Sequence, residues 1–420
     1  MLDYSACLSL DNQQKFNMKF EDAPLLSDVS YKKGIYIVGS KHFITKHNAL
    51  IEVSETKQKL KWDFNTDIFA QECQRPQMDV RLIDLYKQRA LQLRDKYDYL
   101  ILSYSGGADS DNVLQTFLRN NIKLDEVWTE WPLSLLDKAG YKPNQSLDKT
   151  NLPIEWFQNV EPTLKELEKT HPEIKIHITD SFDYYNNVSG VEDFEDGGTF
   201  LQVPTVYTSL KRWRYMKEYI TKLVEKGLNV GVIHGAEKCV PFLTRNNNNG
   251  NFNIGFLMND RGLIMDKFLD DPYFYSNDTR MEAFYWTADF PSIVVQQAHQ
   301  IWDYLKKNKD DTISRLEQRD KEYVNWYTRR TNFDDIIKKI CYPYWDFTKI
   351  QVEKSYFVFN HSFQVYASQF KNEKFFQSWK SNYKSNLRRY DPSLCFVNGK
   401  DVGNDVVVCI KFHKIGEVSW

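Results

Sequence analysis

The spacing of apolar and polar positions changes several times along the chain. Near the start it is short: GIYIVG (34–39) and ALIEVSE (49–55) predict strands, and KLKWDF (59–64) alternates with period two. From Val80 it lengthens. VRLIDLYKQRALQLRDKY (80–97) puts apolar residues three and four apart with no glycine or proline, which predicts a helix. Tyr99 to Ser103 then forms an unbroken apolar run, as expected of a strand buried on both faces of a parallel sheet, and an amphipathic helix follows. DEVWTEW (125–131), IKIHITD (174–180) and NVGVIHGAEKC (229–239) predict further strands, with helical patterns at 160–171 and 208–227 between them. Such alternation predicts an α/β fold built on a doubly wound parallel sheet. FNIGFLM (252–258) reads as a returning strand, and an aromatic stretch, Pro291 and an amphipathic helix come after it. Beyond about residue 310 the pattern is charged and helical until YPYWDF (342–347) breaks it. Three parts are expected: a small β-rich module over 1–79, an α/β core over 80–305, and a helical, then mixed, region over 306–420.

Composition narrows the picture. The 420 residues are 42% hydrophobic and 27% charged, as in a globular protein, and exceed what one ordinary core serves. No apolar stretch approaches the roughly 20 residues that span a bilayer. The opening MLDYSACLSLDNQQKF lacks the basic and apolar regions of a secretory signal. The six cysteines are scattered with no C-x-x-C pair, so reduced thiols in a cytoplasmic protein are expected, without a zinc knuckle. A net charge of −2 excludes a global basic field but leaves room for a local one.

The chemistry concentrates at Ser105-Gly106-Gly107-Ala108-Asp109-Ser110, between the apolar strand and its helix. Glycines let backbone approach a ligand closely, and the first-turn N–H groups of a helix attract phosphate. The Ser105 and Ser110 hydroxyls add donors. Asp109 is placed to cap the helix. Neither G-x-x-x-x-G-K-[ST] nor G-x-G-x-x-G occurs, which argues against a γ-phosphate-cleaving loop and a dinucleotide fingerprint. A second half of the site is expected at the carboxyl end of the fourth core strand, His234-Gly235-Ala236-Glu237-Lys238. Parallel topology puts that end on the same edge as the glycine loop. Glu237 would hold magnesium and Lys238 would meet the β and γ phosphates; a solvated Glu-Lys pair is the plainer alternative. Thr129 and Glu130 close the second strand on that edge. Arg212, Arg214, His234 and His299 read more simply as surface or structural residues. Cys239 reads as a small buried hydrophobe.

The six loop residues match S-G-G-x-D-S, and in this they resemble the PP-loop ATP pyrophosphatases. The resemblance implies a Rossmann-like, adenine-nucleotide α-hydrolase-like core. It implies ATP and Mg²⁺ as ligands, with Asp109 among the magnesium-binding residues, and cleavage between the α and β phosphates. Such enzymes release pyrophosphate and usually adenylate an acceptor. The Gly235-to-Lys238 step and FYWTADFPSIVVQQAHQIW also resemble uncharacterised PP-loop, asparagine-synthase-like proteins of tailed phages, over roughly 80–345. Proline would be expected after the lysine; Cys239 stands there and Pro241 comes later. If phage-encoded, the protein would act in the host cytoplasm.

The acceptor is the open question. Without a C-x-x-C, and without an E-C-G-[IL]-H element in CIKFHKIGEVSW, sulfur transfer and phosphoadenylyl-sulfate reduction are disfavoured. Leu2 stands where a glutaminase module carries its nucleophilic cysteine. Adenylation for amide or amine ligation, or for nucleobase modification, remains. The alternative is a protein that uses ATP to modify or bind tRNA or DNA. Its support is QFKNEKFFQSWKSNYKSNLRRY (369–390), where Lys371, Lys374, Lys380, Lys384, Arg388 and Arg389 interleave with Phe375, Phe376, Trp379 and Tyr383. Those aromatics also recur at helical spacing, which an amphipathic helix with an inward apolar face explains as well. Oligomer formation is left open.

Overall fold

A computed structural model describes residues 35–43, 49, 52–53, 55–131, 133, 155–180, 216, 218–235, 238–246, 248–259, 279–312, 334–349, 395–399, 404–408 and 410–420. The predicted features at Arg212, Arg214, Glu237 and 369–390 lie outside the described residues.

The centre is a five-stranded sheet of β4 (Tyr99–Ser103), β5 (Glu126–Trp131), β6 (Lys175–Asp180), β7 (Val230–His234) and β10 (Thr279–Ala283). The strand order is β10-β7-β4-β5-β6, and every neighbouring pair is parallel. The chain therefore runs outward from β4 in one direction, returns to β7 on its other side, and continues the opposite way. In an open α/β sheet, the carboxyl ends flanking such a reversal form the crevice where ligands sit. Here those ends belong to β4 and β7, with Ser103 in register with His234.

Helices cover the sheet for reasons visible in their spacing. α2 (Leu82–Lys96) buries Leu82, Leu85, Tyr86, Arg89, Ala90 and Leu93, one stripe at steps of three and four. α3 (Ala108–Arg119) buries Val113, Leu114 and Phe117 in the same way. α4 (Glu161–Thr170) follows a π-helical turn at Trp156–Val160 and buries Leu164 and Leu167. α5 (Ser292–Lys307) starts after Pro291, where a fixed φ suits a helix entrance. α6 (Asp334–Cys341) ends just before Tyr342-Pro343, since the residue ahead of a proline is driven away from helical geometry.

Two antiparallel sheets flank this centre. β1 (Ile35–Val38), β2 (Lys41–Phe43) and β3 (Leu60–Asp63) pair in the order β2-β1-β3, and α1 (Thr66–Cys73) follows them. β8 (Val240–Arg245), β9 (Phe252–Asn259) and β13 (Ile410–Val418) pair as β13-β9-β8, so the end of the chain is built onto the segment directly after β7. β11 (Cys395–Gly399) and β12 (Asn404–Val408) form a separate hairpin-like pair. One continuous apolar cluster takes in residues from Tyr36 to Val418. Among the described residues no helix is long and apolar enough to cross a membrane.

One expected strand is corrected. Within 49–55, Ala49, Glu52, Val53 and Glu55 are helical. Ala49 and Val53 are both buried, and their separation of four puts them on one helical face where a strand would have split them. His299 lies mid-helix in α5, and His413 stacks on Phe256, with ring centroids 5.1 Å apart. Burial pushes the His413 imidazole down to about 4.

Candidate phosphate-binding site

The loop between β4 and α3 is shaped by its glycines and serines. Gly106 has φ +77°, and a Cβ there would lie 2.3 Å from Val160 Cγ2, so only glycine fits. Gly107 is the N-cap of α3, and no side chain caps that helix. Its first-turn amides thus end at the crevice without a side-chain acceptor from the cap position. The Ser105 N–H donates to Ser110 Oγ (3.1 Å), which donates to the Gly107 carbonyl (3.2 Å), and the two serine hydroxyls lie 3.2 Å apart. These bonds fold the loop around its own helix start. Ser105 is exposed, Gly107 and Asp109 are partly exposed, and Gly106, Ala108 and Ser110 are buried.

β7 meets this loop edge to edge. A Cβ on Gly235 would lie 2.8 Å from the Asp109 carbonyl carbon and oxygen and 2.9 Å from Ser110 Cα, all of it backbone that has no room to yield. Gly235→Ala should therefore destabilise the fold by about 1–3 kcal/mol through overpacking and move the start of α3. Thermal unfolding together with nucleotide binding checks this. An unchanged midpoint would mean the two segments are not in contact.

Lys238 is 2% exposed, and its Nζ lies 3.6 Å from Asp109 Oδ1. Buried ammonium groups require a partner, and the carboxylate supplies one. The sequence-based pairing of loop and β7 edge thus has a structural counterpart in Lys238 and Asp109. With Gly107 in the cap position, the Asp109 side chain is turned to tertiary partners: the Tyr342 hydroxyl donates to Oδ1, and the Tyr285 hydroxyl donates to the Asp109 carbonyl (3.0 Å). Asn112 Nδ2 donates to the Tyr285 hydroxyl in turn (3.0 Å). Two turns of α3 are thereby bound to the stretch after β10.

Other predicted positions fall less directly on the crevice. Thr129 is 1% exposed, and its Oγ1 has no hydrogen-bond partner among the described residues. It shares the face of β5 with Trp131, whose ring lies 5.8 Å from that of Trp156 in the turn ahead of α4. Glu130, one residue on, is partly exposed. His234 and Cys239 are buried, and burial pushes the Cys239 thiol up, away from the range of a reactive thiolate.

Sequence reasoning did not find Tyr285, Tyr342, Asp111 or Lys349. Asp111 is buried, which pushes its carboxyl up, against the opposing pull of Lys349. It accepts from the Tyr104 hydroxyl (3.1 Å) and from Lys349 Nζ (3.3 Å). The one available signal was the break at YPYWDF, where α6 ends and the chain meets the start of α3.

No family model matches the chain, nor does any curated protein or solved structure.

Proposed function

We propose that the chain is a PP-loop ATP pyrophosphatase that cleaves ATP to AMP and pyrophosphate and adenylates an acceptor for amide or amine ligation or nucleobase modification. The observation that carries this reading is the S-G-G-x-D-S loop at the carboxyl end of β4, with Asp109 3.6 Å from a buried lysine supplied by the neighbouring strand end. The strand order supports the Rossmann-like part of the reading. Taken by chain position, β6-β5-β4-β7-β10 is 3-2-1-4-5, the order of the dinucleotide-binding sheet up to its fifth strand.

Each group has a role in that chemistry. The first-turn amides of α3 and the Ser105 hydroxyl would hold phosphate oxygens, and Ser110, bonded to the Gly107 carbonyl and the Ser105 N–H, would hold the loop in shape around them. Lys238 would offset charge that builds on the departing pyrophosphate. Magnesium is typically held by one or two carboxylates together with the phosphates it bridges. The part-exposed Asp109 carboxylate beside phosphate-binding amides fits that mode, with Glu237 as the second carboxylate of the reading. The bound ion would supply charge neutralisation to the triphosphate.

Incubating the protein with ATP and Mg²⁺, alone and with bulk tRNA, DNA or candidate carboxylate and amine acceptors, tests the proposal. AMP and pyrophosphate are the expected products. ADP and phosphate would show that the loop serves a different cleavage.

A further inference from the structure

Residues 334–349 follow the last strand of the parallel sheet, yet both acidic side chains in the first turn of α3 end on them. Asp109 accepts from the Tyr342 hydroxyl, and Asp111 accepts from Lys349 Nζ, which also reaches Thr163 Oγ1 (3.4 Å). The segment is fixed at a third point. The Tyr86 hydroxyl donates to the Cys341 carbonyl (2.6 Å) and accepts from Gln297 Nε2 (2.9 Å). The Tyr342 ring is fully buried, with its centroid 5.6 Å from that of Tyr285, and Lys238 Nζ lies 6.0 Å from its centroid. A hydrogen bond from a locked ring to a carboxylate is charge-assisted and directional. It sets the orientation in which Asp109 meets Lys238 and the crevice.

We propose that Tyr342 is a positioning residue for the Asp109 carboxylate, through which segment 334–349 sets how tightly the loop takes a magnesium-bound nucleoside triphosphate. The inference rests on the nucleotide reading above. Tyr342 acts through Asp109, as residues behind a metal ligand do when they fix its orientation. Removing such a partner typically weakens metal affinity by about 10–100-fold.

Equilibrium binding of trinitrophenyl-ATP to the full chain, in stepped Mg²⁺ and in excess EDTA, reads the effect without depending on turnover. Tyr342→Phe removes one hydroxyl and keeps the ring, so a cooperative thermal transition is expected to persist. Its magnesium midpoint should rise about tenfold, with binding in EDTA unchanged. Tyr86→Phe cuts another anchor of the same segment and leaves the Asp109 partner in place. It should lower the thermal midpoint and keep the wild-type magnesium midpoint. An unchanged midpoint in Tyr342→Phe, or an equal shift in Tyr86→Phe, overturns the proposal. A wild-type chain that binds no analogue at any Mg²⁺ concentration overturns the nucleotide reading itself, and the role of Tyr342 falls with it.

Discussion

Asp109→Ala is expected to lower magnesium-dependent AMP formation by 10²-fold or more, about the scale of losing one preorganised charge-stabilising group. The same change leaves the Tyr342 hydroxyl without its carboxylate acceptor and removes an anion from beside buried Lys238. A stability loss of about 1–3 kcal/mol should therefore accompany the loss of activity. Asp109→Asn separates the two effects. The amide retains an oxygen that accepts from Tyr342 but carries no charge for the metal or for Lys238, so a smaller stability loss than in Asp109→Ala, with equally low AMP formation, is expected. Urea unfolding and product analysis on the two variants read both quantities. AMP release at the wild-type rate from Asp109→Asn would remove the carboxylate from the mechanism.

The loop was legible because three independent signals coincide within residues 97–118. They are a strand with a buried apolar centre at Leu100–Leu102, glycines at the turn, and a helix with one apolar face. Its meeting with Lys238 was legible for a topological reason, since parallel strands put their carboxyl ends on one edge whatever lies between them. The Tyr342 contact was not. It joins positions 233 residues apart, and nothing in the local pattern around Tyr342 reports which surface it covers. A strand was also missed at 240–245, directly after the predicted β7 edge. Pro241 argues against a strand when read locally, but β8 is the edge of its sheet, where a missing N–H costs no ladder bond. The stretch 49–55 failed through the opposite ambiguity. A short apolar run fits either period, and burial of Ala49 with Val53 decides for the helix. Asp111 reads as an ordinary first-turn acid; only the fold reveals that Tyr104 and Lys349 enclose it.

Arg89→Met should cost about 3–5 kcal/mol in urea unfolding, the usual effect of leaving one half of a buried ion pair behind. Arg89 is fully buried on α2, and its Nη2 lies 2.8 Å from Glu282 Oε2 on β10. Glu282 Oε1 also accepts from Lys96 Nζ (2.6 Å) and the Tyr97 hydroxyl (2.5 Å). These bonds fasten the outermost strand next to β7 to the helix that precedes β4. Burial alone would push the Glu282 carboxyl up, but the Arg89 and Lys96 charges outweigh it and hold the group down to about 2. The sign of the pH effect follows. With its folded value below the ordinary 4.5, Glu282 contributes its stability in full above pH 4.5 and loses it as pH falls from there toward 2. That shift corresponds to about 3 kcal/mol, similar to the cost expected for Arg89→Met. In Arg89→Met the carboxyl loses its main counter-charge, so the acid limb should shrink as the neutral-pH stability drops. A variant that unfolds at the wild-type urea concentration would instead mean that β10 is held by its ladder to β7 and the apolar packing of Met281, Phe284 and Tyr285 without help from Arg89.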